Sequence, residues 1–308
     1  MAQRFSFLVA GRVAKPQSTT FPLMSADHRR SVLFLLVAAL FWSFAGVLIK
    51  YLGTTWTGLA VSGGRGLIAG IFLLLTNRGL RFHLSGAQIV GAICYAGCTV
   101  LFCIATTLTS AANAILLQYT APIWVALLGT WFIGERATRA DWITIAIALG
   151  GMALFFRDGL SLGHLAGDTL GLLSGISFAA MTLALRRQKD GSAVESIILG
   201  NFLAFAIGLP WILRSPMLPA EGWAALLALG AVQLGVSYWL YARAIRHVSA
   251  LEGVLIPVAE PILNPVWVLL FVHEKPSGWA LAGGTIVLSV VTLRAIAAVR
   301  GRTAAPIS

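Results

Sequence analysis

From residue 31 onward the chain alternates long apolar runs with short stretches of charged and turn-forming residues. An α-helix needs about 20 apolar residues to cross the hydrocarbon core of a bilayer. Ten runs approach that length, at 31 to 52, 56 to 76, 86 to 107, 111 to 133, 140 to 156, 168 to 186, 193 to 213, 222 to 244, 249 to 272 and 279 to 298. The connections between them are too short to hold a soluble domain. The pattern predicts an all-α polytopic membrane protein with ten transmembrane helices.

Two parts of this pattern are copies of each other. Residues 91–135 and 230–274 align without a gap at an offset of 139 positions, with 11 of 45 residues identical. Gly91 matches Gly230, Ser110-Ala111 matches Ser249-Ala250, Pro122-Ile123 matches Pro261-Ile262, and the copies close on Glu135 and Glu274. Duplicated membrane units build transporter scaffolds, because two like halves can rock against each other around a site between them. Five spans separate each residue from its mate, and five is odd. The copies therefore cross in opposite directions, as a 5+5 inverted-topology repeat. The expected division is a tail at 1–30, repeats at 31–157 and 167–299, and a second tail at 300–308.

Composition agrees with the apolar pattern: 58% of residues are hydrophobic and 11% charged, and the mean hydropathy is +0.86. The formal charge of +11 changes the picture only through its placement. Cytoplasmic flanks hold an excess of Lys and Arg. With the N-terminus inside, seventeen basic residues fall on the cytoplasmic side, and only Arg157, Arg214 and Lys275 on the other. Both termini are expected in the cytoplasm, with the protein in the inner (plasma) membrane. A charge spread over six segments by topology needs no nucleic-acid partner. The first 30 residues are polar and basic, with one apolar stretch at Phe5 to Ala10 that is too short for a signal-peptide core. Met24-Ser25-Ala26 would serve as a start, which makes residues 1–23 a candidate upstream extension.

Several motifs together resemble a known family. Phe41-Trp42-Ser43 opens the middle of span one and Lys50 closes it, Arg65 lies within span two, and two spans pair a proline with a glutamate thirteen residues on, at Pro122/Glu135 and Pro261/Glu274. Over residues 30 to 299 the chain resembles the EamA-type branch of the drug/metabolite transporter superfamily, and within it the aromatic amino acid and related metabolite exporters. The resemblance implies a central cavity lined mainly by spans one, three, four, six, eight and nine, with span two toward the periphery. On that arrangement Arg65 is expected to snorkel or to contact a backbone carbonyl rather than pair with Glu260.

Span nine carries the densest chemistry. Pro257, Pro261 and Pro265 lack the N–H that would bond four residues back, so the carbonyls of Gly253, Pro257 and Pro261 lose their helical partners along one face. Inside a bilayer such breaks are tolerated where they meet protein or a water-filled cavity. Glu260, Asn264 and Trp267 form a stripe at i, i+4 and i+7. An unpaired charged carboxylate there costs at least about 2.5 kcal/mol. Glu260 is thus either a substrate or proton site, or a neutral acid bracing a broken helix. Other candidates for substrate binding are Trp42, Ser43 and Lys50 in span one, Tyr95 and Thr99 in span three, and Gln118 and Tyr119 in span four. Ser177 in span six and Gln233, Ser237, Tyr238 and Trp239 in span eight complete the set. Rings with a few hydrogen-bonding groups suit a small amphipathic solute, and helix packing is the alternative role for each residue. Pro122, Pro257, Pro261, Pro265, Glu135 and Glu274 are gating or structural candidates. The two glutamates sit at helix C-termini, where the dipole disfavours an anion, and each is expected to cap the helix that follows.

Cys94, Cys98 and Cys103 have no histidine or carboxylate beside them, so no metal or cofactor is expected. The sequence has no Gly-x-x-x-x-Gly-Lys-Ser/Thr loop, so ATP is not the expected driver. Protons remain a candidate coupling partner. The expectation is a secondary transporter that exports amino acids (aromatic or neutral) or related metabolites. The alternative is a membrane-embedded enzyme or lipid-handling protein, for which no catalytic constellation is visible.

Overall fold

The computed structural model describes residues 26–157, 163–188, 193–263 and 277–301, and every regular element among them is helical. In chain order these are α1 (Ala26–Leu52), α2 (Gly58–Thr76), α3 (Gly86–Leu108), α4 (Ala111–Ile133), α5 (Arg139–Phe155), α6 (Leu165–Arg187), α7 (Ala193–Ile212), α8 (Ala220–Ala244), the start of α9 (Ala250–Leu255 and a 3-10 turn, Ile256–Ala259) and α10 (Gly278–Gly301). Seven of them, α1 to α4 and α6 to α8, are long and apolar enough to cross a membrane. Asn264, Pro265, Trp267 and Glu274 lie outside the described residues, as do residues 1–25 of the expected tail.

Packing follows the inverted repeat. α1 packs on α8 as α6 packs on α3, α4 on α6 as the start of α9 on α1, and α2 on α8 as α7 on α3. The remaining large interfaces, α2 with α7 and α5 with α10, join an element to its own repeat mate. Each pair is what results from exchanging the halves, so the duplication extends from sequence to tertiary contacts. At the α2–α7 crossing, a methyl group on Gly63 would lie 2.9 Å from the Gly208 Cα. Small residues let the backbones touch where lipid provides no hydrophobic drive between helices. Large apolar side chains cover the outside, with Leu75 77% and Trp131 79% exposed, as a bilayer-facing surface requires.

The identical residues of the repeat have a physical reason. Ser110 and Ser249 are both N-caps, accepting from the amides of Asn113 and Glu252, which satisfies donors a membrane helix cannot leave open. Two spans that read as continuous are broken. α1 divides into Ala26–Trp42 and Ala45–Leu52, with Ser43 Oγ donating to the Leu40 carbonyl at 2.6 Å. α4 divides into Ala111–Gln118 and Ala121–Ile133, because Pro122 has no N–H for the Gln118 carbonyl.

Candidate functional site

The broken segments of α4 and α9 meet at mid-bundle. Pro261 leaves the Pro257 carbonyl without its fourth-residue donor. That oxygen takes the Glu260 amide of the tightened 3-10 turn and lies 2.8 Å from the Tyr119 hydroxyl at the break in α4. The same hydroxyl lies 2.6 Å from Glu260 Oε2. One hydroxyl has one proton, so Tyr119 either divides it between the two acceptors or gives it to the Pro257 carbonyl while a protonated Glu260 carboxyl donates to Tyr119 Oη. Beside them, Gln118 Nε2 donates to Ser174 Oγ at 2.7 Å, and Ser174 donates to the Cys98 carbonyl at 3.0 Å. α6 comes this close because position 175 is glycine: a Cβ there would lie 2.8 Å from the Leu117 and Gln118 carbonyls.

Arg65 faces the same space. α2 is wedged between α3, α7 and α8 rather than peripheral, and Arg65 is 1% exposed, so it does not snorkel. The expected backbone contact is present: Nη2 donates to the Thr99 carbonyl at 2.9 Å, and Nη1 donates to Gln233 Oε1 at 3.4 Å. Gln233 is brought within reach by a π-helical segment, Ala228–Val236, in the middle of α8. π turns are frequent at functional sites. Gly230 and Gly235 let that segment lie on Ile68 and Phe72 of α2. Arg65 forms no ion pair among the described residues, and its Nε and the Trp42 indole N–H are buried without an acceptor there.

These groups enclose a cavity of about 40 Å³. Of the residues expected to bind substrate, Trp42, Thr99, Gln118, Tyr119, Gln233, Tyr238 and Glu260 line it. Six others do not. Tyr95 donates to Asn201 Oδ1 at 3.1 Å and backs the Tyr238 ring at 4.7 Å. Ser43 is taken up by its own helix, Ser177 packs on Gly97, Ser237 lies 3.5 Å from the Val232 carbonyl, and Trp239 stacks under Arg243. Lys50 lies at the far end of α1. Arg65, Ala45, Phe178 and Leu234, which the reading of the chain did not count among the ligand-facing residues, also line it, as do Cys98 and Phe102 of α3. For Arg65 the usable signal is its setting, Ser62-Gly63-Gly64-Arg65-Gly66, since a helix with so many small residues is closely packed on more than one side. Trp42, Phe178, Tyr238 and Tyr241 form a ring cluster with centroids 5.0 to 6.4 Å apart. It is anchored by Tyr241 against Thr182 at 2.8 Å.

Beyond the cavity each end of the bundle is tied. At one end Lys50 Nζ donates to the Thr109 carbonyl at 2.8 Å, while Thr109 Oγ1 and Asn113 Nδ2 donate to Asp168 Oδ1 at 2.9 Å each. At the other, Arg186 Nε donates to Glu135 Oε1 at 2.8 Å, and Nη1 to the carbonyls of Ile245 and Arg246 at 3.1 and 2.8 Å. Glu135 does not cap the following helix as expected. α5 is already capped by a Thr138–Asp141 box, and Glu135 Oε2 instead accepts from the Ala250 amide of α9 at 2.8 Å. His28 Nε2 lies 3.7 Å from Glu252 Oε1 at the same end.

The comparisons with known proteins agree with this architecture. An uncharacterized transporter of Bacillus subtilis, YwfM, is 28% identical over 260 residues, covering 80% of this chain and 88% of its own. The pseudopaline exporter CntI of Pseudomonas aeruginosa is 26% identical over 269 residues, covering 84% and 94%. A solved crystal structure superposes with a TM-score of 0.73 over 88% of this chain and 98% of its own, at 21% identity, a likeness of fold. Residues 29–157 and 165–295 each match the EamA-like transporter family, and the chain, built as two such halves around one cavity, belongs to that family.

Proposed function

We propose that this chain is a secondary transporter in the inner membrane, with both termini in the cytoplasm. It exports small amphipathic solutes bearing an amino group and a carboxylate, above all aromatic or neutral amino acids and related metabolites, by alternating access. The observation that carries this reading is that Arg65 and Glu260 line one cavity without pairing to each other. A carboxylate suits Arg65 and the unmatched Trp42 N–H, an ammonium suits Glu260, and the rings take the apolar part. Outward direction draws support from a relative named as an exporter, and orientation from the positive-inside distribution. A cavity of about 40 Å³ falls far below the roughly 300 Å³ of small-molecule pockets, so the site has to expand to hold a solute. The Tyr119–Glu260 contact offers a proton-binding step for coupling, because an arriving ammonium favours the ionised carboxylate.

Counterflow of radiolabelled amino acids in proteoliposomes, with and without a pH gradient, tests the reading. Saturable exchange is expected for neutral or aromatic amino acids. Arg65→Gln and Glu260→Gln should each lower it about 10-fold or more, the usual effect of losing a charged hydrogen bond. Glu260→Gln should in addition abolish any response to the gradient. If the folded variants exchange as the parent protein does, or the parent exchanges no amino acid, the assignment fails.

A further inference from the structure

A second and larger cavity, about 470 Å³, lies at the Arg186 end of the bundle, between the α2–α3 turn, the start of α7 and the end of α8. Arg78, Arg81, Arg243 and Arg246 line it, with His83 beside them. Among the described residues one carboxylate, Glu195, belongs to the wall, and it is committed to the backbone: its Oε1 accepts from the Arg81 amide at 3.0 Å, and the residue is 8% exposed. Arg243 is held in place by the Trp239 ring, 3.5 Å beneath its guanidinium, and by the Trp239 carbonyl. No carboxylate among the described residues pairs with the side chains of Arg78 or Arg81. Guanidinium groups brought around one space repel one another, and a phosphate matches them in charge and in its fork of acceptor oxygens.

The surroundings distinguish a lipid from a free anion. The last turns of α2, immediately before Asn77 and Arg78, expose Ile71, Leu74 and Leu75, and Phe82 is 41% exposed beyond Arg81. The charged hollow thus adjoins the end of an exposed apolar helix face, the arrangement that suits a headgroup between helices and chains along them. A free phosphate would use the arginines and leave that face without a role. We propose that this cavity binds the phosphodiester headgroup of an anionic bilayer lipid, with its acyl chains lying along α2. The site is separate from the central cavity and does not depend on which solute is transported.

Native mass spectrometry of the full-length protein in neutral detergent, titrated with dioleoyl phosphatidylglycerol or with zwitterionic dioleoyl phosphatidylcholine, tests the proposal. Phosphatidylglycerol should be retained about 10-fold more strongly, and Arg78→Gln with Arg81→Gln should lower its retention by a similar factor. The control pair, Arg136→Gln with Arg139→Gln, removes two exposed arginines at the same end but outside the cavity and should leave retention unchanged. Both pairs are checked for parent-like melting, which exposed side chains allow. Equal retention of the two lipids, or an equal loss in the control pair, would overturn the proposal. Inorganic phosphate in place of lipid provides the remaining arm: if it displaces phosphatidylglycerol at equal concentration, the ligand is the free anion and the lipid assignment falls.

Discussion

The two ends of the bundle are built on one plan and tied with different chemistry. At each end a basic residue from the C-terminus of α1 or α6, Lys50 or Arg186, donates to carbonyls at the end of α3 or α8. The serine-capped start of α4 or α9 lies beside it, and there the mates Asn113 and Glu252 occupy one position. At the Lys50 end the partner of Asn113 is Asp168, reached by neutral donors. At the Arg186 end Glu135 carries both an ion pair and the first amide of α9, and Glu252 faces His28. Duplication supplies two latches of the same shape, and substitution at a few positions makes them unequal. On the alternating access proposed above, the difference between the latches sets which end opens more readily, and the more heavily tied Arg186 end should open last.

Cys98 offers a reporter, since its thiol lines the central cavity. With Cys94 and Cys103 replaced by Ala, labelling of Cys98 by an impermeant maleimide from each side of the membrane reads the opening of each end. The largest effect is expected from Asn113→Glu, which copies the other repeat and sets a carboxylate against Asp168, now 2.9 Å from the Asn113 amide. Contact between like charges costs about 1–4 kcal/mol at intermediate to high dielectric. Labelling from the Lys50 side should therefore rise about 10-fold or more, with little change from the other side. Parent-like labelling in the folded variant would show that this latch does not control access. Glu135→Ala comes next. It removes an ion pair worth about 0.2–1 kcal/mol and a capping contact worth about 0.5–2 kcal/mol. Labelling from the Arg186 side should rise about 5- to 10-fold on that basis. An increase from the Lys50 side instead would reverse the assignment of the stronger tie.

How much of this was legible depended on how local the cause was. The break in α9 could be read from Pro257 and Pro261, because a missing N–H acts four residues away in the same helix. Its consequence, a hydroxyl from Tyr119 placed on the Pro257 carbonyl, required knowing that the other repeat crosses there. Ser110 and Ser249 could be read as mates, and their shared capping role follows from the next three residues. Arg65 was misplaced because a position along a span does not say how many helices surround it. The glycines at 63, 64 and 66 held that information as packing density rather than as a motif. The helix that Glu135 caps was misread for the opposite reason, although its structural role was not. Sequence proximity favoured α5, but Thr138 and Asp141 already satisfy that helix, and the real partners, Arg186 and Ala250, are distant in the chain.

The smallest test concerns the weaker latch itself. Lys50 makes one charge-assisted contact with the Thr109 carbonyl, at the C-terminus of α3, where a cation gains about 0.3–1 kcal/mol from the helix dipole. Lys50→Met should raise Cys98 labelling from the Lys50 side only about 2- to 5-fold on that scale, and Lys50→Arg, which keeps the charge, should restore most of the protection. The inequality of the two ends is then read as a ratio: the gain from Lys50→Met against the gain from Glu135→Ala at the opposite face. A ratio near or above one would mean that the added ion pair at Arg186 contributes nothing to holding that end closed. The resting state would then be set by the aromatic cluster around Trp42 and Tyr241 rather than by the latches.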